Sequence, residues 1–269
     1  MLSKLTGKPA RYIFSAKILN KYDVKYFKCE ETGFIQTEEA YWLEEAYSSA
    51  ITKLDIGLLS RNEYLRDKAI PIIENFFDPK GVFLDYAGGY GVFTRMMRDK
   101  GYNFYHTDKY CTNLFAESFS LEDTNQKDNF DMVTLFEVLE HLSDPINEIQ
   151  TILNLGKNLL FTTELQPSVE LASVDDWWYF VPETGQHIAF YTVESLQYIA
   201  DKFGYYFYTN GMNLHLFSKQ ELSSDPFLTK ELPFFMKIMK RKVDRFFNKA
   251  YNQRESLLQK DWQFIKDKI

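Results

Sequence analysis

Residues 82–91, with the sequence VFLDYAGGYG, constrain the fold of this chain more than any other stretch. An apolar run ends in the acid Asp85, and glycines follow at positions 88, 89 and 91, directly before a helix-forming segment. Glycine lets the backbone pass close to a ligand and adopt positive φ. A helix N-terminus presents unpaired N–H groups to a polar or anionic group. The stretch therefore predicts a strand, a glycine loop and a helix that hold a nucleotide-like ligand, with an ordinary β-turn-α connection as the alternative.

The spacing of the glycines narrows the choice of ligand. A dinucleotide-binding loop requires G-x-G-x-x-G and a P-loop requires G-K-[ST], and neither pattern is present. The stretch resembles motif I of the class I S-adenosylmethionine (SAM)-dependent methyltransferases, in which an L-D pair precedes G-x-G-x-G. Ala87 stands where the first glycine belongs, and a Cβ there costs about 1 kcal/mol if φ is positive. The resemblance implies SAM as cofactor and a contact set in the loop of Asp85, Tyr86, Ala87, Gly88 and Gly89.

A second acid extends this expected cofactor site. Asp108 follows the apolar segment 103–107 and comes 23 residues after Asp85. In Rossmann-like sheets an acid at such a strand end binds ribose hydroxyls, because a carboxylate accepts hydrogen bonds from a cis-diol. We therefore expect Asp108 to contact the SAM ribose and its neighbour Lys109 to lie in the same site. A solvated loop acid is the alternative.

The most specific match lies at residues 130–145, FDMVTLFEVLEHLSDP. This segment resembles the one that follows motif I in methyltransferases with the pattern F-D-x-V-x-x-x-x-V-x-E-H-x-x-D-P. The resemblance covers residues 81–163, continues more loosely to 219, and places Phe136 and Glu137 at the cofactor. It implies a Rossmann-like α/β fold. The expected seven-stranded sheet has the order 3-2-1-4-5-7-6, an antiparallel last strand, and helical N- and C-terminal additions.

We expect three segments along the chain: an N-terminal hairpin and helical cap at 1–78, a SAM-binding methyltransferase domain at 79–219, and a helical extension at 220–269. The cap is expected to contain a hairpin at 22–37, a helix at 38–54, and a helix at 62–77 with Pro71 inside it. The methyltransferase segment is short between Asp108 and the next strand, so its third strand is expected near 114–119. A helix capped by Thr192 and a hairpin around Asn210-Gly211 are expected to complete it.

Two histidines are candidate catalytic groups, because an oxygen nucleophile usually needs help to lose its proton. His187 lies in the segment GQHIAFYT, and in methyltransferases that resemble this chain a histidine in such a segment faces the substrate cavity. It is therefore the expected general base. His141 is the second candidate, with a structural histidine as its alternative.

A metal is the rival to a general base. Glu137, Glu140 and His141 lie at i, i+3 and i+4 and can share one helix face. Ubiquinone-pathway O-methyltransferases and small-RNA 3′-end methyltransferases bind a divalent metal with an E-x-x-E-H of this form, whereas in many relatives the first Glu touches the cofactor. We favour the second interpretation and predict no metal.

The irregular stretch 164–188 follows the fifth expected strand, where lids and substrate walls commonly lie. Its aromatic residues Trp177, Trp178 and Tyr179 are the expected acceptor-binding residues. Their alternative is a role in the core.

Composition restricts the remaining classes. The net charge of −7 argues against bulk affinity for nucleic acid, although the basic cluster at 237–245 leaves an RNA or membrane contact as an alternative to a packed helix. Two cysteines, Cys29 and Cys111, are too few for a disulfide framework or a thiolate metal cluster. Without a signal peptide or a run of about 20 apolar residues, a cytoplasmic protein is expected. The oligomeric state is not indicated.

The sequence thus predicts a SAM-dependent methyltransferase with a small-molecule acceptor, for which a hydroxyl on a sugar or related metabolite is favoured. The altered motif I keeps a second class open, a non-catalytic SAM-binding module or partner subunit. An RNA-directed methyltransferase is a weaker third, because the chain is acidic and shows no RNA-binding module.

Overall fold

The glycine loop follows an interior strand of a six-stranded sheet. The computed structural model describes residues 1–48, 55–228 and 255–266. The strands are β1 (Ala10–Ile18), β2 (Tyr22–Cys29), β3 (Ile35–Thr37), β4 (Val82–Tyr86), β5 (Asn103–Thr107), β6 (Met132–Leu135), β7 (Asn158–Thr162), β8 (Ala189–Phe190), β9 (Tyr206–Thr209) and β10 (Leu214–Ser218). The α-helices of these residues are α1 (Leu43–Ala46), α2 (Leu58–Phe76), α3 (Val92–Asp99), α4 (Pro145–Leu153), α5 (Val193–Phe203) and α6 (Leu258–Lys266).

The main sheet has the order β5-β4-β6-β7-β10-β9. Strands β5, β4, β6 and β7 are parallel neighbours, and β10 runs antiparallel to β7 and β9. Strands β6 and β7 are buried at every position, as expected of parallel strands that are covered on both faces. The predicted Rossmann-like α/β fold and its antiparallel last strand are confirmed. In the numbering of the predicted order 3-2-1-4-5-7-6, the observed strands are 2-1-4-5-7-6, so that strand 3 is missing from the described sheet.

The third strand of the predicted order, expected at 114–119, does not form in the described part of the chain. A single parallel bridge between Ser120 and His106 stands in its place. The side chain of Asn113 accepts from the Ala116 N–H at 2.9 Å and donates to the Ala116 carbonyl and the Ser120 hydroxyl. Such local bonds stabilise a turn in competition with a strand, so this edge of the sheet stops at β5.

Helix α6 packs beside α3 near that edge. Both members of its main contact are buried: Arg98 donates from Nε and Nη2 to the two carboxylate oxygens of Asp261, each at 2.8 Å. Arg98 Nη1 also donates to the Phe104 carbonyl in β5, and the guanidinium lies 3.6 Å from the ring centroid of Phe119. A bidentate pair with these further contacts fixes the helix in one position.

A second sheet has the antiparallel order β1-β2-β3-β8. The hairpin expected at 22–37 is present as β2 and β3, whereas β1 was not predicted. Strand β8 directly follows the irregular stretch 164–188, which is called the aromatic loop from here on, and it pairs with β3, Ile35 opposite Phe190. This sheet therefore holds the end of the aromatic loop. Its core consists mainly of aromatic side chains, among them Phe14, Tyr26, Trp42, Trp177, Phe180 and Phe190.

The predicted helices are present with one correction. Helix α2 contains Pro71, and Thr192 caps α5 by accepting from the Ser195 N–H at 3.0 Å. The helix expected at 38–54 is reduced to α1 in the described residues, because Glu38 continues the sheet by bonding the Lys25 backbone. Residues 49–54 lie outside the described residues.

The basic cluster at 237–245 also lies outside the described residues. No described helix is long and apolar enough to cross a membrane.

Candidate active site

A cavity of about 880 Å³ opens at the carboxyl ends of β4, β5 and β6, the edge where open α/β sheets bind their ligands. All nine residues expected at the cofactor line this cavity; they are Asp85, Tyr86, Ala87, Gly88, Gly89, Asp108, Lys109, Phe136 and Glu137. Both candidate histidines, His141 and His187, line it as well. Residues that are distant in the sequence thus meet at one place.

The glycine loop is tightly folded against the end of β4. Ala87, Gly89 and Gly91 all have positive φ, at 56°, 58° and 81°. A Cβ on Gly88 would overlap the carboxylate of Asp85 and lie 2.8 Å from the His106 ring. Glycine is therefore required at 88 for space and favoured at 89 and 91 for conformation. Ala87 carries the strain that its place in motif I suggested.

Asp85 stabilises the loop from below. Its carboxylate is 2% exposed and accepts hydrogen bonds from the hydroxyls of Thr94 and Thr134 at 3.0 and 2.9 Å. Burial raises the pKa of Asp85 to about 6, against the opposing effect of His106. With its oxygens occupied by the protein, Asp85 mainly shapes the loop.

Asp108 fixes the loop from the neighbouring strand. Its Oδ2 accepts from the Gly89 N–H at 2.9 Å, and its Oδ1 accepts from the Tyr110 and Cys111 N–H groups at 2.7 Å. A carboxylate has about four acceptor positions, so three are filled and one remains for a ligand. Asp108 therefore joins two tasks, to hold the loop and to offer one hydrogen-bond acceptor to the cavity.

Glu137 enters the cavity through a strained turn at the end of β6. Its φ is 56°, which is costly for a residue with a side chain, and its N–H donates to the Thr162 hydroxyl at 2.8 Å. Burial, assisted by the nearby carboxylate of Glu140, raises the pKa of Glu137 to about 7. Strain of this kind clusters at functional sites, and no motif in the sequence signals it.

The two candidate histidines face each other, with ring centroids 4.9 Å apart. His141 Nδ1 lies 3.0 Å from the Gln186 carbonyl, and His187 Nδ1 lies 2.7 Å from the Tyr179 carbonyl. Since a carbonyl oxygen only accepts, each Nδ1 carries a proton, and in the neutral form of such a ring Nε2 keeps the lone pair. Burial lowers the pKa of His187 to about 3, helped by His141.

Glu140 is the third member of this group. Its side chain is fully buried, and neither carboxylate oxygen has a hydrogen-bond partner. Oε1 lies 3.9 Å from His141 Nε2. The hydroxyl of Tyr179 lies nearby without a hydrogen bond of ordinary geometry. One ligand atom each from Glu140, His141 and His187 lies within 4.8 Å of the other two.

The three expected acceptor residues separate in the structure. Trp178 is 70% exposed at the cavity, and Tyr179 is buried but lines it. Trp177 is 8% exposed and packs against the rings of Phe180 and Phe190 in the core of the second sheet, away from the cavity lining.

Sequence reasoning missed three cavity residues from the N-terminal region and one, Tyr110, that one of them contacts. Arg61 in α2 forms a bidentate pair with Asp55 at 3.0 and 2.8 Å, and Tyr47 stacks on Tyr110 with centroids 5.2 Å apart and planes at 17°. All four line the cavity. They belong to no motif, and only the tertiary fold brings them together.

The methyltransferase domain family model matches residues 61–209, more than half of the chain. The chain belongs to this methyltransferase family. The methyltransferase family that the glycine loop and residues 130–145 resemble is thereby confirmed. No curated protein matches the chain.

Several solved methyltransferase structures are similar to this methyltransferase. The S-adenosylhomocysteine-bound form of CalO1, a methyltransferase in calicheamicin biosynthesis, is 14% identical over 66% of this chain and 61% of that one, with a TM-score of 0.43. Magnesium protoporphyrin IX methyltransferase from Synechocystis PCC 6803 is 10% identical over 67% and 100%, with a TM-score of 0.45. An O-methyltransferase family 2 protein from Planctomyces limnophilus DSM 3776, complexed with apigenin, is 16% identical over 62% and 61%, with a TM-score of 0.44. The chain thus spans less than two thirds of the first and third of these proteins.

Proposed function

We propose that this methyltransferase transfers the methyl group of SAM to a hydroxyl of a small-molecule acceptor, such as a sugar or related metabolite. One observation carries the proposal: a single cavity runs from the glycine loop to Trp178, Tyr179 and His187. The residues expected at the cofactor therefore share one cavity with residues suited to an acceptor. Its volume of about 880 Å³ lies in the range of small-molecule sites.

The proposal assigns the two ends of the cavity to the two substrates. The glycine loop, Asp108 and Phe136 hold SAM, with the remaining acceptor position of Asp108 directed to the ribose. The acceptor lies between the His141–His187 pair and the aromatic loop, where Trp178 supplies an exposed ring. Transfer is an in-line displacement, so the main task of these residues is to align the acceptor oxygen with the methyl group.

In the proposed arrangement the acceptor's proton leaves on the side of the two histidines, whose rings line the acceptor end of the cavity. His187 is the base that the sequence analysis proposes. As a base acting alone it is weak, because its pKa of about 3 lies far below neutrality. Alignment, or a further group that acidifies the hydroxyl, must supply the rest.

A two-step measurement tests the proposal. Titration calorimetry with SAM and S-adenosylhomocysteine establishes the cofactor site. A screen of nucleotide sugars, free sugars and phenols then identifies the acceptor, by formation of S-adenosylhomocysteine and of a product about 14 Da heavier, the net mass gained when a methyl group replaces a hydrogen. Methylation of a hydroxyl compound supports the proposal. Tight cofactor binding without turnover on any acceptor favours the non-catalytic SAM-binding class. Selective methylation of RNA overturns the small-molecule assignment.

A further inference from the structure

We propose that Glu140, His141 and His187 bind one divalent first-row cation, Zn²⁺ or an ion of similar ligand preference, at the acceptor end of the cavity. The three residues contribute one carboxylate oxygen and two imidazole nitrogens, which together form a frequent catalytic donor set for such ions. The two histidines line the cavity, so positions on the cation that the protein does not fill face the acceptor.

The carboxylate of Glu140 provides the first argument. A buried ionised carboxylate without hydrogen bonds is very costly unless an opposite charge compensates it. Glu140 is 0% exposed and has no hydrogen bond to either oxygen. Among the described residues no Lys or Arg lies within ion-pair distance of it, and the positively chargeable group at that distance is His141 Nε2, at 3.9 Å. A divalent cation would supply the missing positive charge.

The histidine rings provide the second argument. Metal-binding histidines almost always donate their other ring N–H to a carbonyl or carboxylate, which fixes the tautomer and aims the free nitrogen at the metal. Both rings show this arrangement, with Nδ1 bonded to the carbonyls of Gln186 and Tyr179. His141 Nε2 lies 3.9 Å from the unpaired carboxylate of Glu140, and His187 offers a ring nitrogen within 4.8 Å of it, an arrangement that a pair of structural histidines does not need.

The distances are compatible with binding after a small adjustment. The three ligand atoms lie within 4.8 Å of one another, and Glu140 Oε1 is 3.9 Å from His141 Nε2. Metal–ligand bonds of about 2.0–2.2 Å place adjacent ligands about 3 Å apart, so the side chains need to move together by about 1 Å. Glu137 is not in this group. The triad therefore differs from the set of Glu137, Glu140 and His141 that the sequence pattern suggests.

A cation here would have a direct chemical use, which rests on the proposed function. Coordination of the acceptor hydroxyl would lower its pKa, so that its proton leaves to solvent without a strong base. Binding itself does not depend on the identity of the acceptor and can be tested separately.

The test uses the full chain freed of metal with a chelator. Calorimetry with Zn²⁺, and the visible absorption of Co²⁺, should show one site per chain. Glu140→Gln and His187→Gln should weaken binding by more than about 100-fold, since even outer-shell partners contribute about 10–100-fold. His215→Gln is the matched control, because His215 is a buried histidine with both ring nitrogens already bonded. It should retain the site.

Two further readouts keep the outcome unambiguous. Unchanged binding of S-adenosylhomocysteine by Glu140→Gln shows that the variant is folded, and a higher melting temperature of the metal-free variant shows that the buried carboxylate without a partner is destabilising. Wild-type protein that binds neither ion, or Glu140→Gln that binds as well as wild type, overturns the proposal. Turnover that a chelator leaves unchanged overturns the role in methyl transfer and leaves the proposed function standing. A metal site without turnover refutes the function alone.

Discussion

The N–H of Gly89 donates a hydrogen bond to Oδ2 of Asp108 at 2.9 Å and so ties the glycine loop to the end of the neighbouring strand. The two residues belong to two separate elements of the Rossmann-like pattern. Because of this bond, the shape of the loop depends on Asp108, the acid that was expected to bind the ribose. Changes at Asp108 therefore alter the loop and the ligand contact together.

Asp108→Asn should weaken SAM binding by about 1.5–3 kcal/mol, the range for a hydrogen bond to a charged group. An amide in this place can keep one oxygen as acceptor, but its NH₂ then faces either the Gly89 N–H or the N–H groups of Tyr110 and Cys111. Calorimetry with SAM measures the change. Equal affinity of variant and wild type would remove Asp108 from the cofactor site.

Gly88→Ala should abolish SAM binding and lower the free energy of unfolding, because the added methyl overlaps the carboxylate of Asp85. Overpacking of this kind costs about 1–3 kcal/mol or more. Gly57→Ala is the control, since a Cβ there meets nothing within 4 Å. Thermal melts and calorimetry on both variants are compared. A Gly88→Ala protein that behaves like the control would refute the tight loop.

Ala87→Gly should stabilise the protein by about 0.5 kcal/mol. Relief of left-handed strain at φ 56° contributes about 1–2 kcal/mol, and the greater freedom of glycine in the unfolded chain removes about 0.4–1 kcal/mol of that. Urea denaturation measures the difference. A clear loss of stability would show that the methyl group makes contacts which outweigh the strain.

Trp177→Ala and Trp178→Ala form a pair with opposite expected effects. Trp177→Ala should cost about 3–5 kcal/mol of stability as a large-to-small change in the core. Trp178→Ala should leave stability within about 0.5 kcal/mol and raise the KM of the acceptor, with SAM affinity unchanged. Melting curves and steady-state kinetics separate the two. A stability loss at Trp178 with unchanged KM would move this residue from the acceptor site to the core.

His215 should make the protein less stable as the pH falls below about 6.5. Its ring donates to the Thr163 carbonyl and accepts from the Thr209 hydroxyl, and burial lowers its pKa to about 4. Between pH 6.5 and pH 4 the unfolded chain binds a proton at His215 and the folded chain does not. The contribution of this group to the free energy of unfolding is therefore fully present above pH 6.5 and is lost toward pH 4, by about 3 kcal/mol in total. Urea denaturation at several pH values should show a flatter dependence for His215→Gln. Parallel curves for the two proteins would contradict this assignment.

The sequence predicts which residues meet at the glycine-loop end of the cavity, because their spacing along the strands and the loop positions them. The glycines and Asp85 share one strand and loop, and Asp108 ends the adjacent strand, so their meeting follows from the fold alone. The burial of Glu140 without a partner could not be read from the motif, because it depends on the loop around His187.

Long-range pairing explains the other omissions. Strand β8 has two residues and no local signal, and it forms because β3, more than 150 residues earlier, offers a free edge. Trp177 and Trp178 are adjacent and chemically identical, so their different surroundings are decided by packing alone. The missing third strand was anticipated as a shortened region, but the Asn113 turn prevents even the short strand expected there.

The contact between Arg98 and Asp261 also has a consequence for the order in which the molecule is assembled. It joins residues 163 positions apart, and a loop of that length is slow to close compared with the local contacts within each β-α unit. The sheet can therefore form first, with Arg98 still exposed to water, and α6 docks afterwards. We expect reversal of this last step to open the fold locally, and amide hydrogen exchange should detect it as early exchange of α6 while β4, β6 and β7 remain protected.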